Sequence, residues 1–239
     1  GLRSLGAIVD VTNFVMLELG QPLHAFNLCA VHEGIVVRHA CRGETLMLLD
    51  GTVIRLAPAT LVIADLKGPI GLAGVMGGQN SGVAESTQSI FLESAYFRPG
   101  IVANCAREYG LQTDASYRFE RGIDRYAQER ALIRCVELVL AVAGGEADLE
   151  GVRVGVEPTP TVDLPLRIRR VNQVLGLDLE DTDVDRALTP IGLTTIQPDS
   201  APPDLLSVDG TMRIQVPGWR TDITREIDLV EEVARRVGF

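Results

Sequence analysis

Thr45-Leu-Met-Leu-Leu-Asp-Gly-Thr-Val-Ile-Arg-Leu56 is the strongest indication of β-structure in the first half of the chain. Two largely apolar runs, Thr45–Asp50 and Val53–Leu56, meet there at the dipeptide Asp50-Gly51. Asp-Gly between two such runs is a strong short-range signal for a β-hairpin, because both residues tolerate the positive φ of a tight turn. The stretch therefore predicts two strands joined at Asp50-Gly51.

Short strand patterns continue on both sides of this hairpin. They cover Ile35–His39, Leu61–Ala64, Ile70–Val75 and Ile90–Leu92. Helical spacing of apolar residues flanks this region, over Ile8–Leu19 before it and again after Pro99, where a long amphipathic segment covers Tyr126–Val142. We expect the first helix to end at Gly20-Gln21-Pro22 and the long one at Gly144-Gly145. This order is typical of an α+β domain in which helices flank a mixed or antiparallel sheet.

A second, smaller unit is predicted after a proline-rich stretch. Glu157-Pro-Thr-Pro-Thr161 is the best candidate linker, because two prolines in four residues resist both a helix and a central strand. We therefore divide the chain into residues 1–160 and 161–239. The second unit is expected to contain helices over Val171–Leu175 and Val184–Ile191, a hairpin of Leu205–Val208 and Met212–Val216 turned at Asp209-Gly210, and a last helix over Asp222–Val237.

Composition restricts the class of protein. The 239 residues are 46% hydrophobic and 23% charged, which excludes a disordered tail, a collagen-like repeat and a coiled coil. Lys and Arg number 22 against 32 Asp and Glu, so the formal net charge is −10. A broad, non-specific nucleic-acid surface needs a basic excess, so any contact with RNA must be local.

Cysteine usage and the lack of targeting signals favour a cytoplasmic protein. The four cysteines form no CxxC pair, which argues against zinc and for free thiols in the cytosol. No basic region precedes a long apolar stretch, so we expect neither a signal peptide nor a membrane span. The chain begins at Gly1 in the middle of a pattern and stops at Phe239 directly after a helical one. We expect it to be a fragment of a longer protein.

Several short motifs carry the functional information. Four of them are Asp10-Val-Thr-Asn13, Gly20-Gln-Pro-Leu-His-Ala-Phe26, Leu72-Ala-Gly-Val-Met-Gly-Gly78, and Thr113-Asp-Ala-Ser116 followed by Arg118-Phe-Glu-Arg-Gly122. Two more are Val216-Pro-Gly-Trp-Arg220 and Asp222-Ile-Thr-Arg-Glu-Ile-Asp-Leu-Val-Glu-Glu-Val-Ala234. The signatures GxSxG, HExxH, P-loop and a helix-opening GxGxxG are absent. With these motifs in this order, the whole chain resembles the β-subunit family of bacterial phenylalanyl-tRNA synthetases.

The resemblance implies two domains and a division of labour. Residues 1–160 resemble the B3/B4 editing domain of that family, and residues 161–239 resemble its small α+β, winged-helix-like B5 domain. The whole enzyme would be an (αβ)₂ heterotetramer that attaches phenylalanine to tRNA(Phe), and its ATP would not be bound by this fragment. The editing domain would hydrolyse tyrosine mischarged on that tRNA. The alternative is a non-catalytic structural or tRNA-docking module with a degenerate editing pocket.

The need for editing has a physical reason, and Glu93 is a candidate for recognising the tyrosine hydroxyl. A hydrophobic pocket for phenylalanine cannot strongly reject an isostere that adds only a hydroxyl, so a second site must hydrolyse the tyrosyl product. A buried acceptor there favours tyrosine, because phenylalanine would leave the acceptor unpaired. Glu93 is the one carboxylate in the apolar pattern Ile90-Phe-Leu-Glu-Ser94, and the resemblance assigns it to the tyrosine hydroxyl. From composition alone, Glu93 would be read as an exposed strand residue.

The remaining editing residues are also implied by the resemblance. His24, Thr113 and Asn13 would position a water for substrate-assisted hydrolysis without a covalent intermediate, because the neighbouring ribose hydroxyl already activates the ester. Gly77, Gly78 and Ala115 would make room for the substrate. Each has a plainer interpretation: a structural histidine after a turn, a tight glycine turn, and an N-cap over Thr113-Asp-Ala-Ser116.

Four carboxylates are candidates for a metal site in the second unit. Asp228, Glu231 and Glu232 have the spacing i, i+3, i+4 on the expected last helix, and Asp222 stands at its start. Carboxylate oxygens suit Mg²⁺. The resemblance implies that these residues share Mg²⁺ with the α subunit, so binding by the fragment alone would be weak or absent. The alternative is an ordinary acidic surface.

Overall fold

The computed structural model describes residues 3–148, 150–155, 162–196 and 210–238. The chain divides into two compact units, residues 1–155 and 156–239. The linker expected at residues 157–161, and with it the boundary expected at residues 160 and 161, lies outside the described residues. Each unit has a hydrophobic core of its own.

The first unit opens with a helix that packs on a later one. Helix α1 (Ala7–Leu19) ends at Gly20, whose φ of 73° is left-handed and whose N–H donates to the carbonyl of Met16. Its buried face packs on helix α4 (Ala127–Ala143) in a core that includes Val15 and Cys135. Both helices agree with the apolar spacing of the sequence. Between them along the chain lie helices α2 (Pro99–Tyr109) and α3 (Asp114–Arg121).

Strands of the first unit form three antiparallel groups. They are β1 (Leu23–Asn27), β2 (Val36–His39), β3 (Thr45–Met47), β4 (Val53–Arg55), β5 (Leu61–Ala64), β6 (Pro69–Leu72), β7 (Met76–Gly77) and β8 (Ile90–Ser94). The largest group has the order β2-β5-β6-β7, while β3 pairs with β4 and β1 pairs with β8. The hairpin predicted around Asp50-Gly51 is confirmed, with Met47 opposite Val53 and a φ of 85° at Gly51.

Strand β1 is the main element that the sequence patterns missed. Its five residues pair in antiparallel register with β8, from Leu23 opposite Ser94 to Asn27 opposite Ile90. Only Ala25 and Phe26 of β1 are buried, so the strand has no alternating apolar face. Long-range pairing with β8 stabilises it instead.

In the second unit, the described residues form a three-stranded antiparallel sheet and three α-helices. Strands β9 (Val162–Arg167), β10 (Thr194–Thr195) and β11 (Thr211–Val216) lie in the order β10-β11-β9. Helices α5 (Ile168–Leu175), α6 (Asp181–Leu188) and α7 (Glu226–Val237) supply much of the core. The expected hairpin arm Leu205–Val208 lies outside the described residues, and β11 pairs with β9, which had not been predicted.

Helix α7 begins four residues later than predicted. The sequence pattern placed its start at Asp222, whereas the first helical residue is Glu226. Asp228 fixes this start, because its Oδ2 accepts hydrogen bonds of 2.9 Å from the backbone N–H groups of Thr224 and Arg225. The described residues contain no helix that is long and apolar enough to span a membrane.

Candidate functional site

A cavity of about 70 Å³ lies in the first unit, bounded by β1, β8, the β6–β7 region and α3. One water needs roughly 10–15 Å³ on this kind of scale, so the cavity has room for several. Among the described residues that line it, only His24 and Glu93 are ionisable, and all the others are apolar side chains or glycines. An apolar cavity with a few convergent polar groups is the usual form of a small-molecule site.

His24 and Glu93 face one another across the β1–β8 ladder. They are direct partners in the antiparallel register, which places their side chains on the same face of the pair. Both residues are half-buried as a whole, and His24 Nε2 and Glu93 Oε2 are buried and have no hydrogen-bond partner in the described part of the chain. Buried polar atoms are nearly always paired, so two unpaired atoms in one cavity indicate a place for a polar ligand group.

Burial shifts the pKa values of the two residues toward their neutral forms. It lowers the pKa of His24 from 6.5 to about 4, because the charged imidazolium loses its hydration. It raises the pKa of Glu93 from 4.5 to about 7 for the same reason. At neutral pH the imidazole is therefore uncharged, and the carboxyl group is divided between its acid and its carboxylate form. Such paired shifts in one cavity are typical of functional sites.

The two predicted glycines have different structural roles. A Cβ at Gly77 would lie 2.5 Å from His24 Cε1, so the absence of a side chain there allows the imidazole to pack against the β7 backbone. Gly78 does not line the cavity. A Cβ there would lie 2.6 Å from the carbonyl oxygen of Ile70, to which the Gly78 N–H donates at 2.8 Å. Gly78 thus serves the contact with β6.

Helix α3 brings Ala115 to the cavity and uses Thr113 as its N-cap. Thr113 Oγ1 accepts a hydrogen bond from the Ser116 N–H at 3.0 Å and donates to the Val75 carbonyl at 2.8 Å. This is the N-cap that the sequence offered as the plainer interpretation. Ala115 lines the cavity and Thr113 does not, although Thr113 is bonded to the lining residue Val75.

Asn13 lies away from the cavity. It is half-buried on α1 and is not a lining residue. Of the seven residues predicted for editing, the structure thus brings together His24, Glu93, Gly77 and Ala115, and it leaves Gly78, Thr113 and Asn13 outside the lining.

Three aromatic residues that were not among the predicted site residues form part of the cavity wall. Phe26 packs edge-on against the His24 ring, with 4.4 Å between ring centroids, and Phe97 meets Phe119 in a similar T-shaped contact at 5.3 Å. All three phenylalanines are buried and line the cavity. Their sequence signal is the same as that of any core residue, so only the structure assigns them to the wall.

All four carboxylates predicted as metal ligands in the second unit have hydrogen-bond partners within the protein. Arg220 donates to both oxygens of Asp222, at 3.0 and 2.7 Å, and to Glu232 at 2.8 Å. Arg235 donates to Glu231 at 2.6 Å, and Asp228 caps the start of α7. Hydrogen bonding to Arg220 lowers the pKa of Asp222, and hydrogen bonding to the Thr224 backbone lowers that of Asp228.

These carboxylates do not fit a magnesium ion as they stand. Each has at least one oxygen that accepts a hydrogen bond from an arginine or from backbone N–H groups, whereas Mg²⁺ needs free oxygens in an octahedral arrangement. Across the described ranges, no three or more His, Cys, Asp or Glu residues stand together as a possible metal group. The role of Asp222, Asp228, Glu231 and Glu232 as magnesium ligands stays a prediction.

Comparisons with known proteins agree on both units. Residues 1–144 match the family model of the B3/4 domain, and residues 164–239 match that of the tRNA synthetase B5 domain. The chain is 48% identical over 239 residues to the phenylalanine–tRNA ligase β subunit of Pseudomonas syringae pv. tomato. It is also 48% identical, over 240 aligned residues, to that of Hahella chejuensis. All of this chain is covered in both alignments, and it spans 29% of the length of either relative.

A solved structure also aligns with the chain. It is an N-terminal fragment of the phenylalanyl-tRNA synthetase β subunit from Pyrococcus horikoshii. The alignment covers 97% of this chain and 65% of the other, with 14% sequence identity and a TM-score of 0.47.

Proposed function

Because the chain belongs to the B3/4 domain family, carries a tRNA synthetase B5 domain and is similar over its whole length to phenylalanine–tRNA ligase β subunits, we propose that its first unit is an editing site. Its substrate would be tyrosine esterified to tRNA(Phe), and its reaction would be hydrolysis of that ester. The editing site would serve a ligase that joins phenylalanine to tRNA(Phe).

One observation carries this proposal: two buried, unpaired polar atoms share an otherwise apolar cavity. A tyrosyl side chain offers an aromatic ring to the wall that includes Phe26, and a phenol hydroxyl to Glu93 Oε2. A phenylalanyl side chain offers the same ring and leaves the Glu93 oxygen unpaired. The difference is a hydrogen bond to a charged or partly charged acceptor, which contributes about 1.5–3 kcal/mol.

His24 can hold the attacking water. With its pKa lowered to about 4 the imidazole is neutral at working pH, so one ring nitrogen accepts a hydrogen bond and the other donates one. Its contact with Gly77 fixes where the ring lies. We assign it the role of positioning a water against the ester carbonyl, assisted by the vicinal ribose hydroxyl, with no covalent intermediate.

Thr113 supports this site from outside the cavity. Its hydroxyl holds the Val75 carbonyl and caps α3, so it keeps Val75 and Ala115 in the wall. Asn13 and Gly78 have no place in the lining, and we assign them no contact with the substrate. Of the three residues that the resemblance implied for catalysis, we therefore assign only His24 to the water itself.

The other partners belong to the complete enzyme. We propose an α subunit in an (αβ)₂ assembly, tRNA(Phe) as the carrier of the substrate, and ATP and Mg²⁺ used outside this chain. The acidic residues of α7 would contribute to a magnesium site only if α-subunit groups displaced their arginine partners.

Tyrosine discrimination by Glu93 tests the proposal. Free tyrosine and free phenylalanine are titrated into the unaltered chain and into Glu93→Ala, and hydrolysis of tyrosyl-tRNA(Phe) is measured in the complete ligase. We expect the substitution to weaken tyrosine binding by about 1.5–3 kcal/mol and phenylalanine binding much less. Equal tyrosine binding by both proteins would remove Glu93 from the mechanism, and a complete ligase that does not hydrolyse tyrosyl-tRNA(Phe) would favour the non-catalytic docking module.

A further inference from the structure

Gln21 is a fully buried polar residue that the proposed reaction does not use. It lies between α1 and β1, and 0% of its surface is exposed. Its Nε2 donates to the carbonyls of Pro22 and Ala95, at 2.8 and 2.9 Å, and its Oε1 accepts from Gln128 Nε2 at 2.9 Å. An amide NH₂ group has two hydrogens, so both are in use.

The position of this amide explains its two carbonyl partners. Pro22 and Ala95 come one step after the last pair of the β1–β8 ladder, Leu23 with Ser94. Proline has no N–H, so Pro22 cannot extend the ladder by donating to the Ala95 carbonyl. The Gln21 side chain supplies the missing donor and joins the two chain segments there. This junction is two residues from the facing pair His24 and Glu93.

The same network attaches both strands to helix α4. Gln128 of α4 donates one N–H to Gln21 and the other to the Asp124 carbonyl at 2.8 Å. The Gln128 carbonyl in turn accepts from the hydroxyl of Ser94, the neighbour of Glu93 on β8. A buried polar network whose members are all paired rigidifies its surroundings and selects one arrangement of them.

We propose that Gln21 is a positioning residue of the cavity: with Gln128 it fixes the spacing of β1 and β8 at His24 and Glu93, and thereby sets the preference for tyrosine over phenylalanine. The preference rests on the proposed function, whereas the positioning of His24 does not. The physical reason is that small displacements of a polar group weaken a directional contact far more than they weaken apolar packing.

The test uses the whole chain and three substitutions. Gln21→Met keeps the length of the side chain and removes its amide, and Gln128→Met removes the same network from the side of α4. Asn172→Leu is the matched control, because Asn172 is an amide in the second unit that bonds both the N–H and the carbonyl of Leu179. For each variant we measure thermal unfolding, binding of free tyrosine and phenylalanine, and the NMR titration of the His24 ring.

We expect Gln21→Met to reduce the tyrosine-over-phenylalanine ratio about fivefold or more, and to move the His24 titration up from about pH 4. Gln128→Met should do the same to a smaller extent, about twofold, because Gln21 still joins the strands. Asn172→Leu should lower the unfolding temperature and leave both cavity readouts unchanged. If Gln21→Met does not fold, Gln128→Met decides the question alone.

The positioning role is overturned if both glutamine variants behave like Asn172→Leu, with lower stability and unchanged cavity readouts. A separate outcome concerns the proposed function. If the unaltered chain shows no preference for tyrosine, the editing proposal fails, and the His24 titration still decides whether Gln21 positions the cavity. Replacement of His32 and His39 assigns the His24 signal, since the chain has three histidines.

Discussion

The polar groups of the cavity lack hydrogen-bond partners in the part of the chain that the structure describes, whereas the carboxylates on and just before helix α7 have them. In the first unit, His24 and Glu93 have buried atoms without partners, and burial pushes both groups toward their neutral forms. In the second unit, Asp222 and Glu232 share Arg220, and the pKa of Asp222 is lowered because its charged form is stabilised. The sequence offered both sets as functional candidates. The structure shows that the buried atoms of His24 and Glu93 lack a partner among the described residues, whereas Asp222 and Glu232 are paired with Arg220.

Whether a buried carboxyl group has a partner within the protein indicates whether a ligand can bind it. A paired carboxylate contributes to folding and loses hydrogen bonds when a ligand arrives. An unpaired buried carboxyl group lowers the free energy of unfolding, because burial removes its hydrogen bonds to water. A ligand that donates a hydrogen bond to this group offsets that cost when it binds. Glu93 belongs to the second class, and the carboxylates around Arg220 belong to the first.

The largest expected effect is on hydrolysis. In the complete ligase, His24→Ala should slow hydrolysis of tyrosyl-tRNA(Phe) on the order of 100-fold, the lower end for a positioned acid–base group. Thr113→Ala should slow it less and lower stability by about 1 kcal/mol, because Thr113 is a helix cap that supports the wall from outside. Rates of deacylation and of phenylalanine charging are measured side by side. Parallel loss of both activities would place His24 in the folding of the subunit instead.

The next expected effect is on the pH dependence of the free energy of unfolding. The folded pKa of Glu93 is about 7 and its ordinary value is 4.5, so between these pH values the folded state keeps a proton that the unfolded state has lost. Stability therefore falls as pH rises through this window, and the loss is complete above pH 7. Glu93→Gln should unfold with a free energy higher by on the order of 2 kcal/mol at pH 8, and by almost nothing at pH 4.

His24 contributes the opposite slope. Its pKa falls from 6.5 to about 4 on folding, so stability is lost as pH falls through that range. Between about pH 4.5 and 6.5 the contributions of His24 and Glu93 oppose each other, and Glu93→Gln should reveal the slope of His24. Denaturant unfolding at a series of pH values measures both. A Glu93→Gln variant less stable than the parent at pH 8 would show that Glu93 has a partner in the folded protein.

Arg220→Ala is the corresponding change in the second unit, with the opposite sign. It removes the shared partner of Asp222 and Glu232, two carboxylates that then repel one another. We expect a loss of about 1 kcal/mol of stability, since the ion pairs are partly accessible to solvent. Arg186→Ala on α6 is a control, because the ion pair of Arg186 with Asp183 is exposed to solvent. An Arg220→Ala variant as stable as the control would show that the ion pairs of Arg220 contribute nothing to folding, and that the carboxylates of the second unit do not differ from Glu93 in this respect.

Local signals predicted much of the fold, and pairing over long distances accounts for most of what they missed. Helix α1, the hairpin at Asp50-Gly51 and the end of α4 follow from apolar spacing and glycine stops. Strand β1 does not, because its partner β8 lies far along the chain and its own residues lack an alternating pattern. Strand β9 was missed for a related reason, since Pro165 interrupts an otherwise strand-like sequence.

The candidate site divides in the same way. Glu93 could be singled out in the sequence as one carboxylate among apolar residues, and Thr113 could be read as a helix cap. That His24 faces Glu93 could not be predicted, because this follows from the β1–β8 register. The contact between Arg220 and Glu232 was equally hidden, because Arg220 reaches Glu232 through the turn that precedes α7. The pair of Glu231 and Arg235, by contrast, has the i,i+4 spacing that the sequence shows directly.

The smallest expected effect is that of magnesium on the isolated chain. Asp222 and Glu232 are held by Arg220, Glu231 by Arg235, and Asp228 by the start of α7. A magnesium ion would have to displace these donors and would still keep most of its waters. Calorimetry on the isolated chain should therefore show binding at millimolar levels or none, and EDTA should leave its unfolding temperature unchanged. Arg220→Ala frees two carboxylates and should tighten the binding, whereas Arg186→Ala should not. Tight, stoichiometric binding by the unaltered chain would mean that the arginine pairs give way to the metal, and the contrast between the two regions would be lost.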